Sequence, residues 1–197
     1  MKDRGITHLI HFTQLQNLPS IIEGGIRPRS ELDAEGVSYL WSDPWRLDGF
    51  PDAVSLSIQL PNYPMLNALH KRLPGRRWIA IGIDPEILIG ADCRFCAQNA
   101  ASSIYKKSWR SFRNLAAFEE MFDDRKRWDG TSYRASQQLA PHQTTDPQAE
   151  ILFFGTVPPD SILFATAESK EMGEWVQAQL DRLGGWERDV HLGSLVG

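Results

Sequence analysis

Two rhythms of apolar residues run along this chain. ITHLIHFT at 6–13 alternates as a strand does, with Ile6, His8 and Ile10 on one face and Leu9 and His11 on the other. A helix should follow, with Asn17 as N-cap, Pro19 in its first turn, Leu18, Ile21 and Ile22 as its apolar stripe, and Gly24-Gly25 as its end. The junction brings His11, Thr13 and Asn17 close together. DAVSLSIQ and RRWIAIGID read as further strands, with a short helix MLNALHKRL between them and apolar segments around ILIGADCRF after them. One long helix is expected from Ile104 to Phe122, placing Trp109, Phe112, Leu115 or Ala116, and Phe122 near one face. ILFF at 151–154 and SILFAT predict two late strands, and Met172, Trp175, Val176 and Leu180 mark a final amphipathic helix.

Strands scattered among helices without a regular βαβ rhythm predict an α+β fold. No G-x-G-x-x-G or G-x-x-x-x-G-K-[ST] follows a strand, so neither a Rossmann site nor a P-loop is supported. Residues 30–51 carry the acids, Gly and Pro of a long surface loop, with Arg46 just before a strand. Residues 123–149 form a second polar connection. With no repeat and no linker, residues 1–197 are expected to build a single domain.

At 42% apolar and 23% charged, the chain has the composition of a soluble globular protein. It lacks the roughly 18 uninterrupted apolar residues of a membrane span, and a cytoplasmic location is expected. Cys93 and Cys96 form one C-x-x-C without a second pair or a His at ligand spacing, so two reduced, partly buried thiols are expected in preference to a metal site or a redox pair. The net charge of −4 is unevenly spread. IYKKSWRSFR at 104–113 holds Lys106, Lys107, Arg110 and Arg113 with no acid, and Lys71, Arg72, Arg76 and Arg77 make a second basic cluster. Cations interleaved with Tyr105, Trp109 and Phe112 could grip a nucleic acid, because phosphates attract the charges and bases stack on the rings. The competing reading is a solvated amphipathic helix whose aromatics face the core.

Glu150 stands at the head of an apolar strand, where an ionised carboxylate would be costly without a partner. Set in order, the polar landmarks are His11 with Thr13, then Arg46, then Glu150. With the words ITHLIHFTQLQNLPSIIEGGIRPR, WRLDGFPDAVSLSI and TTDPQAEILFFG, and Asn99-Ala100-Ala101 before the basic segment, the chain resembles the DarT family of DNA ADP-ribosyltransferase toxins from about Ile6 to about Thr166. The resemblance implies a two-sheet ADP-ribosyltransferase fold that binds NAD in a cleft and moves its ADP-ribose onto a base in single-stranded DNA. It places NAD contacts at His11, Thr13, Asn17, Gly25 and Arg29, makes Arg46 an active-site cation and Glu150 the catalytic glutamate. The connection from about Arg134 to Pro147 corresponds to the acceptor-facing loop, with Arg134, Gln137, Gln138 and His142 as candidates for touching the base. A macrodomain antitoxin partner is implied in the same way.

The chemistry suits these residue types. Breaking the ribose–nicotinamide bond passes through an oxocarbenium-like state that a carboxylate stabilises, and the same carboxylate can take a proton from the acceptor. His11 can fix a ribose hydroxyl and Arg46 can hold phosphates or pair with Glu150. The departing nicotinamide is already cationic, so no metal is expected. Lys106, Lys107, Arg110 and Arg113 would supply phosphate contacts. Each residue also has a plainer role, as N-cap, surface carboxylate or satisfied histidine. An acceptor in RNA or protein, or a non-catalytic nucleic-acid-binding module, are the competing functions.

Overall fold

A computed structural model describes residues 1–41, 47–107 and 109–195, with the backbone alone at Lys106, Lys107, Trp109 and Arg110. In chain order its elements are β1 (Leu9–Gln14), α1 (Leu18–Gly24), α2 (Arg29–Ala34), β2 (Ala53–Ile58), α3 (Tyr63–Arg72), β3 (Trp78–Ile83), β4 (Cys93–Cys96), α4 (Ser103–Lys107), α5 (Leu115–Glu120), α6 (Tyr133–Ser136), β5 (Glu150–Phe154), β6 (Ile162–Ala167), α7 (Lys170–Leu180) and β7 (Asp189–Leu192). The strands form one seven-stranded sheet in the order β4-β5-β2-β1-β3-β6-β7. The α+β expectation holds. In place of two separate sheets, the strands share one hydrogen-bonded order whose central joint is narrow: β1 pairs with β3 along six residues but with β2 only at Leu9↔Ile58 and Ile10↔Ser57. Beyond Ile10 the two halves of the sheet part.

Alternation along the strands sorts side chains between two faces. Leu9, Ile79, Ile81 and Ile83 share one face with Val54, Leu56, Ile151 and Phe153, and α1, α5 and α7 cover them. On the other face Ile10, Trp78 and Ala80 pack under Leu66 and Leu69 of α3. Farther along that face Ala53, Leu152 and Cys96 pack with Ala100 and Tyr105. The two clusters on this second face leave a gap between them, below the point where β1 and β2 part. Every residue of β3 is buried, as expected for a strand inside the sheet.

Two expectations are revised, and one strand is added. The segment 104–122 is not one helix, because α4 ends at Lys107, a 3-10 turn spans Trp109–Phe112, and α5 restarts after Asn114. Asn114 is extended, and its side chain accepts the Ala117 N–H as an N-cap does, which leaves Leu115 72% exposed. Asn17 precedes α1 but makes no capping bond. Finally, β7 pairs parallel with β6 at the end of the sheet. Its residues are mostly exposed, so it carries no apolar alternation to announce it.

Cys93 and Cys96 are buried free thiols. Three residues apart in a strand, they lie in clusters on opposite faces and cannot share one ion. Among the described residues no cluster of three His, Cys, Asp or Glu side chains could hold a metal ion. Burial pushes the Cys93 thiol up to about 12 and raises Cys96 further. Unfolded, such thiols ionise near 9.0, so the unfolded chain gains ionisation that the folded one lacks above that pH. Stability should therefore fall as pH climbs from about 9 toward 12. Native protein should also resist alkylation at pH 8 and take up two labels on denaturation, read by intact mass. Labelling of the native fold would contradict this burial.

No helix among the described residues is long and apolar enough to cross a membrane.

Candidate active site

Where β1 leaves β2, the wedge between them opens into a cavity of about 800 Å³. Its position explains why consecutive residues of β1, Ile10 to Thr13, all line it: the wall is a strand edge as well as a strand face. Ser55 and Ser57 of β2 form the facing wall, α1 and the turn after it a third side, and Met65, Ala68, Leu69 and Arg72 of α3 a fourth. A volume of this size suits an extended dinucleotide.

His11 is anchored across the wedge, with its Nδ1 3.1 Å from the Ser55 carbonyl oxygen. A carbonyl can only accept, so Nδ1 carries the proton, and in the neutral ring Nε2 is an acceptor. That tautomer suits a ribose hydroxyl donating to the imidazole.

Asn17 acts as a clamp. Its Nδ2 donates to Thr13 Oγ1 at 3.0 Å and to the Leu40 carbonyl at 2.7 Å, while its Oδ1 accepts the Leu40 N–H at 2.9 Å. Gln14 adds a bond from Nε2 to the Trp41 carbonyl at 3.0 Å. Together they strap Tyr39–Leu40–Trp41 along the cavity, which all three residues line.

Gly25 ends α1 at φ +83° and lets Ile26 and Val157 exchange backbone bonds at 2.9 Å each. Arg27 and Arg29 follow on the cavity wall. Arg27 is held by Glu35 and Glu31, and the Arg29 guanidinium by Asp33 at 3.7 Å. Asp33 also accepts from the Tyr39 hydroxyl at 2.8 Å, and burial, reinforced by that bond, raises the phenol above its ordinary range. With Arg72 of α3, Arg27 and Arg29 give the cavity three guanidinium groups of the kind that bind phosphates.

Glu150 and Gln148 line the same cavity, as do Asn99 and Ala101. Glu150 begins β5, opposite Cys96, and its Oε1 accepts the Ala100 N–H at 2.7 Å. The carboxylate at the head of an apolar strand is thus met by a backbone donor. Asn99 turns the chain for this contact, accepting the Ala101 N–H at 2.8 Å and donating to Gln148 Oε1 at 3.3 Å. Arg46, expected as the partner of that charge, lies outside the described residues.

His11, Thr13, Asn17, Gly25, Arg29 and Glu150 therefore meet in one cavity. Arg134 and His142 do not line it. The Arg134 guanidinium donates to Gln143 O, Thr145 Oγ1 and Ala140 O at 2.8 Å each, so it folds the loop before Glu150 from within. His142 is half-buried. Arg113 pairs with Asp92 at 2.9 Å and lies over the Phe154 ring. The side chains of Lys106, Lys107 and Arg110 lie outside the described residues. Sequence reasoning missed Arg27, Tyr39, Leu40 and Asp48 on the cavity wall and counted Arg72 only as part of a basic cluster. The R-P-R spacing just after Gly25 was the available signal.

Comparison with known proteins returns a family model described as DarT, ssDNA thymidine ADP-ribosyltransferase, matching residues 10–193. Curated proteins give no match. Among solved structures, Thermus sp. 2.9 DarT in complex with NAD+ is similar at 18% identity and a TM-score of 0.65, over 95% of this chain and 96% of that one. The same protein in complex with ADP-ribosylated ssDNA is similar at 16% identity and 0.61, over 96% and 95%. Thermosipho africanus DarTG in complex with ADP-ribose is similar at 18% and 0.64 over 94% of this chain, which spans 50% of that longer one. At such identities these structures speak for the fold, and the family match over nearly the whole chain for kinship. This chain belongs to the DarT family of single-stranded-DNA thymidine ADP-ribosyltransferases.

Proposed function

We propose that this chain is one ADP-ribosyltransferase domain over residues 1–197 that transfers ADP-ribose from NAD to thymidine in single-stranded DNA, with Glu150 as its catalytic carboxylate. The observation that carries the reading is Glu150, held by the Ala100 amide in the wall of a cavity that Arg27, Arg29 and Arg72 also line. His11, Thr13, Asn17, Gly25 and Arg29 form the NAD side. The imidazole of His11 takes a ribose hydroxyl, Arg29 faces the phosphates, and the strap held by Asn17 closes over the ligand. The relatives solved with NAD+ and with ADP-ribosylated ssDNA support this reading.

Thymine in DNA has its N1 bonded to deoxyribose, so N3 is the ring nitrogen left to attack, and it carries a proton. As the bond from C1′ to nicotinamide breaks, the N3–C1′ bond forms and the N3 proton passes to Glu150, which then releases it to solvent. Nicotinamide leaves neutral with the bonding pair. Glu150 also stabilises the positive charge on the sugar, so one carboxylate serves both sides of the displacement. Arg46 is assigned as a further cation of this site. Lys106, Lys107, Arg110 and Arg113 are assigned to DNA phosphates, and the Arg134-centred loop with His142 to the acceptor side.

A base in a duplex hides N3 within its pair, so the substrate must be unpaired. Labelled NAD offered to single-stranded DNA, the same sequence as duplex, RNA and protein should mark the single-stranded DNA, with duplex at least about tenfold lower. Equal labelling of duplex, or label on RNA or protein alone, contradicts the proposal. We assign the protein to the cytosol, where NAD and single-stranded DNA occur together, as the toxin of a pair whose antitoxin carries a macrodomain that removes ADP-ribose. Its match to part of a longer DarTG chain supports the pairing.

A further inference from the structure

Ahead of the Arg134 loop the chain makes a short hairpin that the site described above does not use. Lys126 bridges Ser132, Arg127 N–H donates to Thr131 O at 2.9 Å, and Tyr133 N–H donates to Arg125 O at 2.8 Å. At the tip, Asp129 accepts from both the amide and the hydroxyl of Thr131, and Gly130 turns the chain at φ +80°. This braced finger holds Trp128 out at 93% exposure, with Lys126 and Arg127 exposed before it. A large indole fixed in water on a rigid turn, beside two cations, has the composition of a nucleotide stacking platform. The nearby acids have partners of their own: Asp129 accepts from Thr131, Asp124 accepts the Arg134 N–H at 2.9 Å while also acting on Lys126, and Asp146 pairs with Arg125 at 3.3 Å.

The finger is also joined to the acceptor side. Arg125 ties its base to Asp146, four residues before Glu150. Tyr133, which begins α6 just after the hairpin, lines a second cavity of about 250 Å³ together with Tyr63, Gln137 and Thr144. Ser57 lines both this cavity and the large one. A strand of DNA leaving the active site along this path would meet aromatic and amide groups first and the Trp128 platform next.

We propose that the Trp128 finger is a second binding site for single-stranded DNA, taking nucleotides outside the target base by stacking on Trp128 and by phosphate contacts to Lys126 and Arg127. The inference rests on the DNA-modifying reading above. It predicts that affinity grows with strand length through a residue that does no chemistry.

The test is fluorescence anisotropy with fluorescein-labelled oligothymidylates of about 20 and about 6 nucleotides, lengths chosen because single-strand sites span ~4–16 nucleotides. Trp128→Ala should weaken the longer strand about tenfold, Trp128→Phe should retain most of the affinity, and the shorter strand should be unaffected. Lys126→Ala with Arg127→Ala should reduce the salt slope by about 1.4. Melting temperature and DNA-independent NAD hydrolysis should stay at wild-type values in each variant. Unchanged affinity of Trp128→Ala for the longer strand overturns the proposal and leaves the tryptophan to a protein partner. Equal weakening of both strands overturns it too, placing Trp128 in the acceptor site itself. Binding through Trp128 by a wild-type protein that labels no DNA would sustain the finger while refuting the transferase reading.

Discussion

Glu150→Gln should lower ADP-ribose transfer to DNA by ~10²- to 10⁴-fold while leaving the fold and NAD binding in place. The glutamine amide oxygen can still accept the Ala100 N–H that now meets Oε1 at 2.7 Å, so the side chain keeps its position. What disappears is the negative charge facing the developing cation and the base that removes the acceptor proton. Because both act in the transition state, the loss should fall on kcat, with KM for NAD changed by less than about threefold. Intact melting temperature alongside the lost rate completes the result. A variant that keeps more than about a tenth of the wild-type rate would remove Glu150 from the chemistry.

Gly25→Ala should be the most damaging single methyl in the cavity wall. Its φ of +83° is a conformation that L side chains rarely adopt. A Cβ there would also stand 2.3 Å from the Val157 carbonyl oxygen and 2.9 Å from Thr156 Cγ2. The carbonyl cannot retreat freely, since it accepts the Ile26 N–H in the bridge that closes the end of α1 against the start of the β5–β6 turn. Left-handed strain and overpacking together should destabilise the protein by ~2–5 kcal/mol. For a chain of this size that lowers the melting temperature by roughly 5–15 °C. Gly36→Ala is the matched control, because Gly36 has φ +67° but nothing within 4 Å of the added methyl. It should cost only ~1 kcal/mol. Equal melting temperatures for the two variants would show that the Val157 contact is not what requires glycine at 25.

Sequence reached the elements whose apolar rhythm is intrinsic to the segment. β1, β2, β3, β5 and β6 follow their alternating or continuous apolar runs, and α7 follows its stripe. It missed what depends on other parts of the chain. The break at Asn114 follows from a capping bond that competes with helix continuation, and a stripe of aromatics does not reveal it. β7 is recruited by the edge of β6 rather than by its own residues. Asn17 shows the same limit at the site: its place before α1 suggests a cap, yet its amide is used on Leu40, 23 residues away. The wedge between β1 and β2 is a matter of where pairing stops, which no local pattern encodes. Glu150 was legible as a carboxylate heading an apolar strand, while the roles of His11 and Thr13 came from the family resemblance of the words around them. Arg27 and Arg72 were not, since arginine on a helix or turn usually signals only solvent.

The Arg134 loop marks a difference between residue type and residue use. An arginine in the loop before Glu150 reads as a nucleic-acid contact, but its guanidinium donates to three oxygens of its own loop. Such an arginine sets the shape in which Gln137 and Gln138 are presented, and Gln138 itself sits at φ +53°. The loop before Glu150 is therefore shaped by its own internal hydrogen bonds.

The most direct measurement is intact mass of a single-stranded oligonucleotide carrying one thymidine, incubated with NAD and the purified protein, beside the same oligonucleotide with that thymidine replaced by cytidine. Wild-type protein should add one ADP-ribose unit to the first and none to the second, and Glu150→Gln should add none to either. A gain on the cytidine strand, or an undiminished gain with Glu150→Gln, would contradict the account of thymidine transfer by this carboxylate.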